Sequence, residues 1–112
     1  FCTLPPDAPV PAALDAIATV REAEGWTAVA PLARARALGV RHAGAFARVT
    51  LTVHSSLAAV GLLAAVTGAL AARGIACNAV AGFHHDHLFV PEERADEALA
   101  ALAALGAAAS GR

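Results

Sequence analysis

Between Phe46 and Val53 apolar and polar side chains alternate, with Val49, Leu51 and Val53 on one side and Thr50 and Thr52 on the other; this predicts a strand with one buried face. The period then changes. Val60, Leu63, Val66 or Thr67, and Leu70 recur at helical spacing. Ser55 or Ser56 stands where a hydroxyl can cap the orphan N–H groups of a first turn, and Arg73 followed by Gly74 closes the helix. Ile75 to Gly82 reads as a strand, His84 to Asp86 as a turn and His87 to Val90 as the returning strand. Pro91 with Glu92, Glu93, Asp96 and Glu97 opens a final helix, where the macrodipole favours acid. Leu99, Leu102 and Leu105 give that helix its apolar stripe, and Gly106 ends it. The closing AAASGR carries no strand pattern and is expected to fray.

The first 45 residues are patterned differently. Phe1 to Leu4 reads as a strand end, and PPDAPVP (residues 5 to 11) as a proline-rich surface connection. Ala16 to Ala23 and Trp26 to Ala30 flank Glu24-Gly25, which predicts a hairpin. Pro31 occupies a first-turn helix position and Gly39 stops the helix LARARAL. Arg34 and Arg36 lie two apart, do not share a helix face, and are expected to be solvated. Residues 46 to 112 thus run β-α-β-β-α, a ferredoxin-like order short of its last strand. The fold class is α+β, with residues 1 to 45 a β-hairpin and short-helix extension packed into the same domain. The vacant sheet edge is expected to take the Phe1 to Leu4 strand.

At 112 residues the chain is long enough to bury a core without metal or disulfides. With 8 Lys+Arg against 9 Asp+Glu there is no electrostatic footprint for nucleic acid or an anionic membrane. Cys2 and Cys77 fit neither a disulfide framework nor a zinc ribbon and read as buried thiols. The chain has no methionine and opens on an apolar run, so residues upstream are expected; no signal or transit peptide pattern is present, and the cytoplasm is the expected location. The uncharged run Ser55 to Ala72 is mostly Ala, Gly, Ser and Thr, which insert poorly into a bilayer, and a soluble helix is expected. A helix without a charged face needs cover on more than one side, so a homo-oligomer, dimer or tetramer, is expected.

Candidate chemistry is sparse. His84, His85, Asp86 and His87, with His54 on a neighbouring strand, are the densest group of ligand-type side chains. Adjacent residues in extended chain point alternately, so at most two share an ion; no metal site is expected, and Asp86 reads as a turn residue. Cys77 alternates with Ile75 and Ala79 on an apolar face, where a thiol is inert. Trp26 is read as a core residue. There are no paired carboxylates, phosphate loop or Gly-x-Ser-x-Gly elbow, so neither catalytic residues nor a cofactor are expected.

The run HSSLAAVGLLAAVTGALAARGIACNAVAGFHHDHLFVP, followed by ERADEALAALAAL, resembles the ACT-domain group of small bacterial proteins, similar in turn to the ACT modules of aspartate kinases. The likeness covers about residues 46 to 105, and REAEGWTAVAP is the best match in the first half. It implies a module that binds a small ligand, often an amino acid, between modules paired side by side. Carried over by position, the pocket comprises His54, Ser55, Ser56, Val60 and Gly61 at the strand-to-helix turn, with Asn78, Ala79 and Val80 from the neighbouring module. Helix-start N–H groups attract a carboxylate, Ser hydroxyls donate, and Asn78 donates and accepts. With no catalytic domain in this chain, the resemblance implies that any signal passes to a partner protein. Two other readings stay open: a structural oligomerisation module without ligand, and a metal-dependent enzyme using the HHDH turn.

Overall fold

The structure, a computed structural model, describes residues 1–52, 60–106 and 109–111. The chain divides into two units, Phe1–Ala45 and Phe46–Arg112. The first is built on three short strands, β1 (Cys2–Leu4), β2 (Ala18–Arg21) and β3 (Trp26–Val29), antiparallel in the order β1-β3-β2. The hairpin expected at Glu24-Gly25 joins β2 to β3. Gly25 sits at φ 152°, and a Cβ there would collide with the Leu4 carbonyl oxygen, so only glycine lets the turn lie against β1. After the prolines comes one unanticipated turn of 3-10 helix, Ala12–Leu14, which buries Leu14. Helix α1 (Leu32–Ala37) follows Pro31. It ends in a Schellman motif: Gly39 N–H donates to the Arg36 carbonyl at 3.2 Å and Val40 N–H to the Ala35 carbonyl at 3.0 Å. Cys2, Leu14, Ala28 and Ala35 form this unit's core.

The second unit begins with β4 (Phe46–Leu51) and continues through α2 (Leu62–Ala72), β5 (Asn78–Ala81), β6 (Asp86–Pro91), α3 (Ala95–Ala104) and β7 (Ala109–Gly111). Its sheet order is β5-β6-β4-β7. Val49, Leu51, Leu88 and Val90 meet Val66 and Leu70 of α2 and Ala98, Ala101 and Leu102 of α3 in one cluster. A turn of 3-10 helix, Glu92–Arg94, leads into α3. Helix α2 also ends in a Schellman motif, with Gly74 N–H on the Ala71 carbonyl at 2.9 Å and Ile75 N–H on the Leu70 carbonyl at 3.0 Å. The hydrophobic pair that accompanies the motif, Leu70 and Ile75, lies in the core.

Several expectations change. The edge beside β4 is filled by β7, with Val49 opposite Gly111 and Leu51 opposite Ala109, so the tail is a strand. Phe1 to Leu4 does not fill it: β1 pairs with β3 in its own sheet. A weak pattern in AAASGR was overridden by the open ladder that β4 offers. The helix expected from Ser55 or Ser56 starts instead at Leu62, with Gly61 in its cap position at φ 98° and no side-chain cap among the described residues. The serines lie outside the described residues. Val60 precedes the helix and is 97% exposed, so it leaves the expected stripe, in which Val66 and Leu70 are buried and Leu63 packs half-buried against them. In α3 the buried stripe is Ala98, Ala101 and Leu102, while Leu105 is exposed. The second hairpin turns at Gly82–His85, and Asp86 is already in β6, paired with Ala81.

The two units follow one plan. In each, a first strand is followed by a helical segment, a hairpin, a second helix and a last strand. Cys2 faces Ala28 and Thr3 faces Thr27 in the first unit, as Val49 faces Leu88 and Thr50 faces His87 in the second. Ala18–Arg21 pair with Val29–Trp26 as Asn78–Ala81 pair with Phe89–Asp86. Each hairpin closes on the same bond at 2.9 Å, Glu22 N–H to the Gly25 carbonyl and Gly82 N–H to the His85 carbonyl. The place of β7 is taken in the first unit by residues 41–43, bridged to β1 through Cys2 and His42, with Thr3 N–H on the Arg41 carbonyl at 3.0 Å. What differs is the first helical segment, eleven residues in α2 and three in the first unit.

Candidate functional site

The entrance to α2 is the first part of the expected pocket. Val60 and Gly61 are exposed there. The Gly61 carbonyl accepts the first intrahelical bond, from Ala65 N–H at 2.9 Å. The N–H groups of the first turn have no partner within the helix, and among the described residues no side chain caps them. The arrangement is open to an outside acceptor such as a carboxylate. His54, Ser55 and Ser56 lie outside the described residues.

The second part lies on β5, an outer strand. Asn78 and Ala79 are exposed and Val80 is half-buried. Asn78 is opposite Phe89, and one side of the strand is unpaired among the described residues. No described hydrogen bond links Val60 or Gly61 to Asn78, Ala79 or Val80 within the chain.

The histidine-rich hairpin is arranged by packing. His84 stacks edge-on against Phe83, ring centroids 5.0 Å apart, at a tip where Phe83 is 76% exposed. His87 Nδ1 is 3.0 Å from Thr50 Oγ1, the residue opposite it. A Cβ at Gly82 would stand 2.9 Å from the His85 carbonyl oxygen, so the glycine lets the hairpin close there, and His87 Nε2 would lie beside it at 3.4 Å. Cover by the His87 ring explains why Thr50 is 8% exposed on a face expected to be open. His85 Nδ1 is buried and has no hydrogen-bond partner among the described residues. Asp86, expected in the turn, stands on the ladder instead. Among the described residues no three His, Cys, Asp or Glu side chains converge on a metal position.

Cys77 is half-buried at the margin of the core, and burial raises its thiol above the ordinary value. Trp26, expected in the core, is half-buried in β3 under the Arg21 guanidinium, 4.8 Å from the ring centroid. Beside them, the Thr27 hydroxyl donates to the Glu22 carboxylate.

Arg94 escaped the sequence reading. Its Nη1 donates to the Gly74 carbonyl at 3.2 Å and its Nη2 to the Arg73 carbonyl at 3.0 Å, complementing the negative end of α2. Its Nε donates to Glu97 Oε2 at 2.7 Å, and that bond holds the Glu97 carboxyl below the usual range. The available signal was a repeat: Pro31-Leu32-Ala33-Arg34-Ala35 and Pro91-Glu92-Glu93-Arg94-Ala95 share proline, arginine and alanine at equal spacing.

No described helix is long and apolar enough to cross a membrane. Comparison with curated proteins gives no match. Among solved structures, a Vibrio cholerae protein of unknown function, titled a possible transport protein, is 45% identical. The match covers 90% of this chain and 77% of that one, with a TM-score of 0.81. Two family profiles match, both described as ACT domain, one over residues 48–104 and the other over residues 1–47. They carry the family and do not extend to the narrower likeness to aspartate-kinase modules. With a ferredoxin-like α+β plan and these matches along its length, the chain belongs to the ACT-domain family, whose domains are in general ligand-binding regulatory modules.

Proposed function

We propose that this chain is a non-enzymatic regulatory module that binds an amino acid or a similar small carboxylate at the start of α2. The outer strand β5 of a neighbouring module completes the pocket. In this reading the chain works as a homo-oligomer and passes its signal to a separate protein in the cytoplasm, a location favoured by its two free cysteines.

The observation that carries the reading is the start of α2 on Gly61, where no side chain among the described residues caps the first-turn N–H groups that an external anion would accept from. The exposed, uncharged β5 supports it, because an open edge with Asn78 can both pair with another module and present an amide to the ligand. The outward face of α2 is Ala64, Ala65, Gly68, Ala71 and Ala72, a charge-free surface that also favours the second reading, oligomerisation without a ligand.

A thermal-shift screen of the amino acids, each at millimolar concentration, tests the first reading. A ligand present at about 100 times its Kd stabilises the folded chain by about 2.7 kcal/mol. No stabilisation by any of them sinks the amino-acid reading. Light scattering on Val60→Asp addresses assembly. At 97% exposure the substitution leaves stability within about 0.5 kcal/mol, so a smaller particle would report a lost interface and not unfolding.

A further inference from the structure

Both units place an arginine at the same point of the plan, three residues after the proline at or just past the end of β3 or β6, and in both it reaches back to the first helical segment or the residues that close it. Arg94 engages Arg73, Gly74 and Glu97 at once. Arg34 Nη1 lies 3.5 Å from the Ala13 carbonyl, although the segment there is a single turn. The contact therefore belongs to the plan and survives the loss of most of a helix. Among the described residues, Arg94 is the side chain from another element that hydrogen-bonds to the end of α2. At the opposite end of α2 no described side chain caps the helix.

We infer that Arg94 is a positioning residue that couples α2 to α3, so that the two helices open as one unit. The mechanism is geometric. Two guanidinium nitrogens hold the carbonyls just past the last turn of α2, and the third holds a carboxylate in the first turn of α3. A rigid planar fork cannot follow one helix away from the other without breaking bonds at one of them. Since α3 packs on both α2 and β7, a displacement of α2 is passed on to the sheet edge. The coupling does not depend on a ligand; if a ligand binds at the start of α2, this is the route by which its effect leaves the helix.

Hydrogen–deuterium exchange on the full chain tests this, because helices that open together share one opening constant. In the parent chain, amides of Val66–Ala72 and of Ala98–Leu102 are expected to share that constant. Arg94→Ala should raise exchange in α2 about tenfold while α3 changes by about twofold or less. If Arg94→Ala fails to fold, Arg94→Lys, which loses the planar fork, should show the same split. Glu97→Gln keeps the carbonyl bonds and an acceptor for Nε, and should leave the helices coupled. Arg34→Ala should leave both unchanged. The inference is overturned if the parent helices already open separately, if Arg94→Ala or Arg94→Lys raises both equally or neither, or if Glu97→Gln splits them as Arg94→Ala does.

Discussion

Leu70→Ala distinguishes the docked face of α2 from its outward face. Leu70 is fully buried in the cluster with Val49, Leu88 and Leu102. Its carbonyl accepts the N–H groups of Arg73 and Ile75, each at 3.0 Å. Alanine keeps those bonds and the helix propensity, so the loss is confined to the Cγ, Cδ1 and Cδ2 carbons. At about 0.8 kcal/mol per buried carbon that amounts to roughly 2.4 kcal/mol. The cavity left in a close-packed interior raises it to about 3 to 4 kcal/mol. Ala71→Gln, on the exposed face of the same turn, is the control and should stay within about 0.5 kcal/mol of the parent. Urea unfolding followed by far-UV circular dichroism reads both; with a slope of about 1 to 3 kcal/mol/M, Leu70→Ala lowers the midpoint by about 1 to 4 M. A loss under about 1 kcal/mol at Leu70, or an equal loss at Ala71, would refute the account of which face holds α2 to the sheet.

Two further outcomes are expected. Gly25→Ala forces a Cβ into the Leu4 carbonyl and should destabilise the first unit by about 1 to 3 kcal/mol, visible as earlier loss of Trp26 fluorescence in urea; an unchanged midpoint contradicts the close approach. Cys77 predicts an alkaline limb. Its thiol is raised above 9.0 by burial, so the folded chain holds that proton more tightly than the unfolded chain. The stability this contributes is fully present below the unfolded value and is lost as pH rises through the folded one. The chain has neither lysine nor tyrosine, whose titration would otherwise overlap this range. The urea midpoint should fall between pH 7 and 10, and Cys77→Ala should flatten the fall; an identical pH profile for the two chains contradicts the assignment.

The elements legible in the sequence were those with strong local signals. Glycine after each helix announced its end, because Gly39, Gly74 and Gly106 take the left-handed conformation that closes a helix. The alternation around Val49 announced β4. Elements decided by tertiary pairing were not legible. Nothing local in Ala109–Gly111 asks for a strand; the unpaired edge of β4 does. The start of α2 was misread because Ser55 and Ser56 are ordinary caps by composition, whereas the structure opens the helix on Gly61, a residue that offers no side chain to signal the position. At the hairpin, four ligand-type residues in a row suggested chemistry, and strand alternation sent them apart, with the His87 ring held against Thr50. Arg94 was hidden because the residues it binds, Arg73 and Gly74, are twenty positions away and are bound through their carbonyls, which no side-chain pattern encodes.

The shared plan also explains why the units are not interchangeable. The connection from β1 to β2 contains Pro5, Pro6, Pro9 and Pro11, which donate no backbone hydrogen bond, and it winds only the turn Ala12–Leu14. The corresponding connection in the second unit holds α2, eleven residues with no side-chain cap at its start among the described residues. A partial charge of useful size at a helix start needs several aligned peptide dipoles, and one turn does not supply them. An anion drawn by that field therefore finds this place in the second unit and no counterpart at Ala12–Leu14 of the first, which keeps the sheet and the Schellman end of α1. A duplicated plan with one shortened helix thus has this first-helix start in only one of its two units, and a symmetric counterpart to it must come from a second chain.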